Sequence, residues 1–176
     1  MEQEDLLHKL QQCGAIQFGR FVLTSGAISD YYIDIKKAST NPNILKFIIH
    51  QMSPYTAPYE ILAGMELGAV PLAVALSLET ELPYVIIRKE QRSHGTGKQI
   101  EGSDVKGKKV LIVEDVTTSG GSVVKSIQVL RDHGALIDKA LVVVDRESGA
   151  KEKLQQMKVT LIPLLTVKDI LKKRAH

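Results

Sequence analysis

The chain has 176 residues, 44% hydrophobic and 24% charged, enough to bury the core of one domain and too apolar to stay disordered. Its formal charge is +3, and the excess lies in the tail, where Lys168, Lys172, Lys173 and Arg174 outnumber Asp169. A charge-balanced body excludes a broadly basic surface that wraps duplex DNA, and the single cysteine, Cys13, excludes an internal disulfide and a multi-cysteine zinc site.

The opening MEQEDLLHKL is acidic and lacks the apolar run of a signal peptide. Leu6, Leu7 and Leu10 fall at helical spacing over residues 4–13, and Gly14 follows as a stop. Residues 18–35 predict two strands around Ser25-Gly26. Asn41-Pro42 opens a helix through Ile44, Leu45, Ile48 and Ile49, with proline at its first position. From residue 60 the rhythm is regular: strand 60–63, helix 69–78, strand 84–87, then a polar stretch without periodicity over 88–107. Strand 109–113, helix 121–133, strand 140–144, helix 149–157, strand 159–165 and helix 167–173 complete the chain. Residues 61–78 are the most apolar long stretch, but Gly64, Glu66, Gly68 and Pro71 interrupt it, so it predicts no membrane span.

Five strands separated by helices predict an α/β fold: a five-stranded parallel sheet flanked by helices. Ligands bind such sheets beyond the carboxyl ends of the strands. The expectation is a single cytoplasmic domain over 1–176, partnered by neither nucleic acid nor membrane.

The strand Val110-Leu111-Ile112-Val113 runs into Glu114-Asp115 and then Val116-Thr117-Thr118-Ser119-Gly120-Gly121-Ser122, ahead of a helix. Small residues in such a turn let backbone N–H groups converge on an anion at the helix N-terminus. No Walker loop and no dinucleotide fingerprint occurs. Two acids beside a phosphate would repel it unless they face sugar hydroxyls or a cation carried by the ligand. A phosphorylated sugar meets both needs; a capped helix beside two solvated acids is the plainer alternative.

Arg88, Lys89, Arg92, His94 and Lys98 crowd one stretch that also holds Gly95 and Gly97. Such a run is usually a solvated face, yet a mobile basic loop also suits closure over a diphosphate. Arg146, after the strand ending near Val144, could grip a carboxylate with its planar fork.

VLIVEDVTTSGGS resembles the diphosphoribosyl-binding motif of the type I phosphoribosyltransferases. Within that superfamily the chain is similar to the orotate phosphoribosyltransferases from about residue 15 to residue 165. FVLTSG (21–26) with SDYYID (29–34) resembles the N-terminal hood over the base, which places a hood mainly in 1–40 and a core in about 41–176. GMELGA (64–69) resembles the diphosphate loop.

The resemblance implies transfer of ribosyl 5-phosphate from 5-phosphoribosyl 1-diphosphate to orotate, with Mg²⁺ held mainly by the diphosphate. Lys89, Arg92, His94 and Asp115 are the implied catalytic residues. Arg88, Lys89, Arg92, His94, Glu114, Asp115, Val116, Thr117, Thr118, Ser119, Gly120, Gly121 and Ser122 are implied to hold the sugar diphosphate, and Thr118 and Arg146 the orotate. A homodimer with shared sites is also implied, the basic loop reaching the partner's site, so that Lys89 and Asp115 belong to different halves. Thr24, Gly68 and Arg92 stand where many members have lysine. An arginine at 92 keeps its proton at any working pH, which predicts an electrostatic role there and leaves His94 to titrate near neutrality. An enzyme of the same superfamily for another base is opposed by Arg146 and the hood. A non-catalytic nucleotide sensor is opposed by the basic loop and by the lack of room for a DNA-binding element in 1–20.

Overall fold

The structure, a computed structural model, describes residues 2–22, 28–90 and 98–172. The hood turn with Thr24 and the loop segment with Arg92 and His94 lie outside these residues.

Helix α1 (Glu2–Gln12) leads into a hairpin of β1 (Ile16–Val22) and β2 (Ile28–Ile33), paired antiparallel as a separate two-stranded sheet. A short helix, α2 (Ile35–Ser39), follows, capped by the Asp34 carboxylate, which accepts from the Lys36 N–H at 3.2 Å. In α3 (Pro42–Met52) Asn41 caps the first turn and proline occupies its first position, as the sequence predicts.

The second sheet contains β3 (Ile61–Met65), β4 (Tyr84–Ile87), β5 (Ile100–Gly102), β6 (Val110–Thr117), β7 (Lys139–Asp145) and β8 (Thr160–Thr166), in the order β5-β4-β3-β6-β7-β8. It has six strands, not the five expected. The extra one, β5, runs antiparallel along β4, and its three residues are too few to show any periodicity. The other five are parallel. Helices α4 (Val70–Thr80), α5 (Gly121–Asp132), α6 (Ala150–Gln156) and α7 (Val167–Lys172) connect or follow them. Alternation along β6 explains the two covered faces. Leu111 and Val113 join a core with Leu10 of α1, Ile48 of α3 and Leu72 and Leu76 of α4. Val110 and Ile112 join a second core with Val123, Ile127 and Leu130 of α5 and Leu154 of α6.

Strand β6 is also longer than expected. Its pairing with β3 ends at Gly64–Val113, while its pairing with β7 continues to Thr117–Asp145. Glu114 to Thr117 therefore form an overhang of the strand itself. The chain moves outward one way from β3 to β4 and the other way from β6 to β7, so the carboxyl ends of β3 and β6 flank the point where strand order reverses.

Candidate active site

A cavity of about 190 Å³ opens at that reversal, lined among others by Lys36, Glu66, Gly68, Lys89, Asp115 and Ser122. Glu114 also reaches it, from a position only 6% exposed. Burial pushes the Glu114 carboxyl well above its ordinary range, and the neighbouring Asp115 raises it further. Asp115 is fixed from below, one carboxylate oxygen accepting the Val116 N–H at 2.8 Å.

A raised carboxyl pKa means that the folded chain binds this proton more tightly than the unfolded chain. The associated stability is present at low pH and is lost as pH rises through the raised value. Glu114→Gln removes that loss. Its melting temperature relative to the unsubstituted chain should therefore climb as pH rises above the ordinary carboxylate range. A difference that stays flat over that rise would show that the buried carboxyl carries no such cost.

Beyond the acids, Thr118 and Ser119 are exposed, and Gly120 caps α5 in the left-handed region at φ 78°. A side chain there would be strained in that backbone region, and its Cβ would stand 3.1 Å from the Ala150 Cα, so glycine is required. Thr117 is buried, and its hydroxyl has no hydrogen-bond partner among the described residues. The carbonyl of Thr117 accepts the Arg146 N–H at 2.9 Å. The turn and Arg146 thus stand side by side. The Arg146 guanidinium lies 5.2 Å from the ring centre of Tyr31 on β2, and its buried Nε is likewise without a partner. The hairpin therefore lies against Arg146.

The basic stretch divides. The Lys89 N–H donates to the Glu66 carboxylate at 2.7 Å, and the Lys125 ammonium donates to the Lys89 carbonyl. Lys89 lines the cavity beside Asp115. Arg88 is engaged elsewhere, its Nε donating to the Glu101 carboxylate on β5 at 2.8 Å. The assignments of Arg92 and His94 lie outside the described residues.

A family model described as the phosphoribosyl transferase domain matches residues 42–170. The chain is 48% identical over 170 residues to the orotate phosphoribosyltransferase of Methanocaldococcus jannaschii, spanning 96% of this chain and 97% of the relative. This chain belongs to the orotate phosphoribosyltransferase family. The family's enzyme from Aeropyrum pernix superposes with a TM-score of 0.87 at 36% identity, covering 97% of this chain and 98% of that one. The Mycobacterium tuberculosis enzyme, solved with 5-phospho-alpha-D-ribosyl 1-diphosphate, superposes with a TM-score of 0.78 at 28% identity, covering 97% and 99%.

Within this orotate phosphoribosyltransferase family member, sequence reasoning did not single out Lys36 or Lys125. Lys36 follows the α2 cap, and α2 is too short for a helical period to emerge. Lys125 sits on α5 among residues read for their apolar face. No local signal marks either one; only the fold brings Lys36 to the cavity and Lys125 to the Lys89 carbonyl.

Proposed function

We propose that the chain transfers ribosyl 5-phosphate from 5-phosphoribosyl 1-diphosphate to N1 of orotate, giving orotidine 5′-phosphate and diphosphate, a step of de novo pyrimidine (UMP) synthesis. The observation that carries this reading is the junction of the phosphate turn with Arg146 through the Thr117 carbonyl, beside the acid pair on one strand end.

The 5′-phosphate enters the turn from Thr117 to Ser122, where backbone N–H groups and hydroxyls converge at the α5 N-terminus. Glu114 and Asp115 face the ribose hydroxyls. Because burial favours the protonated form of Glu114, the pair presents less negative charge to the incoming phosphates. The C1′–oxygen bond to diphosphate breaks, the leaving group keeps the electron pair, and N1 of orotate, having released its proton, forms the new bond. Asp115 acts on the positive charge that develops at C1′. Arg146 takes the orotate carboxylate, and Thr118 approaches the same ring. Among the described residues no three His, Cys, Asp or Glu side chains come together as a metal cage. Mg²⁺ arriving on the diphosphate would find Glu114 and Asp115 among the acids of this cavity. Its chemistry there would be to neutralise charge on the departing diphosphate.

A homodimer in the cytoplasm, each chain one domain with its hood in about 1–40, completes the reading. Among the described residues no helix is long and apolar enough to cross a membrane. The direct test follows orotate absorbance and diphosphate release in the presence and absence of a divalent ion. Turnover of guanine or hypoxanthine with orotate untouched would sink the assignment.

Dimer sharing has its own test. Arg92→Ala and Asp115→Asn, each inactive alone, should regain activity on mixing if the outer part of the loop serves the partner's site, because a hybrid then contains one intact site. Lys89→Ala mixed with Asp115→Asn should regain activity in the same way, the two residues then lying in different halves of a shared site. Mixed dimers that stay inactive after confirmed subunit exchange would mean that the loop works in its own chain or not at all.

Gly68 offers a further check. A Cβ at this position would stand 2.1 Å from an oxygen of Asp115, whose other oxygen is tied to Val116. Gly68→Ala must turn the carboxylate aside, and misplacement of this order costs up to about 10²-fold in rate. Turnover should fall while the melting temperature holds; unchanged turnover would detach Asp115 from the chemistry.

A further inference from the structure

Lys36 belongs to no motif, yet its head group enters the cavity between the acid pair and the β3–α4 loop. Its Nζ stands 3.9 Å from the Asp115 Oδ2 and 3.7 Å from the Asp34 Oδ1, both longer than hydrogen bonds. The side chain keeps 58% exposure, so the ammonium is loosely balanced between two carboxylates with donors still to place. Across the cavity the β3–α4 loop brings Glu66 and Leu67 but no cation. Position 68, where many members have lysine, holds glycine with the Asp115 carboxylate against it. A strongly anionic ligand beside Glu66, Glu114 and Asp115 needs positive charge from other elements, and α2 supplies Lys36 in addition to Lys89.

We propose that Lys36 is a substrate-binding residue whose ammonium leaves Asp115 to contact the diphosphate of 5-phosphoribosyl 1-diphosphate. The contact rests on the reaction given above and adds to it a cation from α2. Its recognition is that of a compact ammonium for phosphate oxygens, at the opposite end of the ligand from the phosphate turn.

Calorimetric titration of inorganic diphosphate with Mg²⁺, and separately of ribose 5-phosphate, into the full-length chain separates the two ends. Lys36→Met should weaken diphosphate by about tenfold or more and raise the KM for the sugar diphosphate. Ribose 5-phosphate affinity and the KM for orotate should stay within about twofold. Lys36→Arg should recover most of the loss. Equal diphosphate affinity in the unsubstituted chain and Lys36→Met overturns the contact. So does a loss shared equally by ribose 5-phosphate, or one that Lys36→Arg does not repair, since either would mean that Lys36 acts through the fold. If the unsubstituted chain binds diphosphate but leaves orotate unused, the proposed reaction falls and the contact stands.

Discussion

Asp115→Asn is expected to lower kcat by about 10²–10³-fold, the loss that follows removal of one group aimed at transition-state charge. The substitution keeps the size of the side chain and its carbonyl oxygen, so the Val116 N–H retains an acceptor. It removes the negative charge that meets the cation forming at C1′. Binding of ribose 5-phosphate should change little, because the proposed phosphate site is the turn from Thr117 to Ser122, a different set of donors. Single-turnover rates and ribose 5-phosphate titrations test the split. An asparagine variant with full kcat and only a raised KM would assign Asp115 to ground-state binding.

Arg146→Leu should strike the base. An arginine whose Nε is buried without a partner, with a ring beneath its plane, is ready to receive a carboxylate. Truncating one side of such a charge pair costs about 2–5 kcal/mol in kcat/KM, much of it from leaving the other charge unpaired. Uracil lacks the carboxylate and has nothing to lose. The ratio of orotate to uracil kcat/KM should therefore collapse in Arg146→Leu, while the KM for the sugar diphosphate stays close to its original value. A ratio that persists would place the orotate carboxylate elsewhere.

The parts of this site that are contiguous in the chain were the legible ones. A buried β-branched strand, two acids and a run of small hydroxyl residues state a strand, a turn and a helix start within a few positions, and the structure has all three. The end of the strand was not legible. Acidic residues at 114 and 115 look like a loop, yet β7 continues the ladder beneath them to Thr117. Strand β5 was hidden because three residues cannot alternate, and its existence depends on the free edge of β4. The Arg88–Glu101 pair depends on that same strand, so a charge read as part of the basic loop is held against the sheet edge. Lys36 reaches Asp115 only through the placement of α2, for which no residue near Asp115 gives notice.

The single hydrogen bond from the Arg146 N–H to the Thr117 carbonyl has a thermodynamic consequence. It joins the turn proposed for the sugar phosphate to the arginine proposed for the base, so ordering of either side would restrain the other. Any tightening of orotate by bound sugar phosphate must then be matched, by the same factor, in the tightening of sugar phosphate by bound orotate. A backbone contact between neighbouring strand ends would carry such coupling before any loop closes.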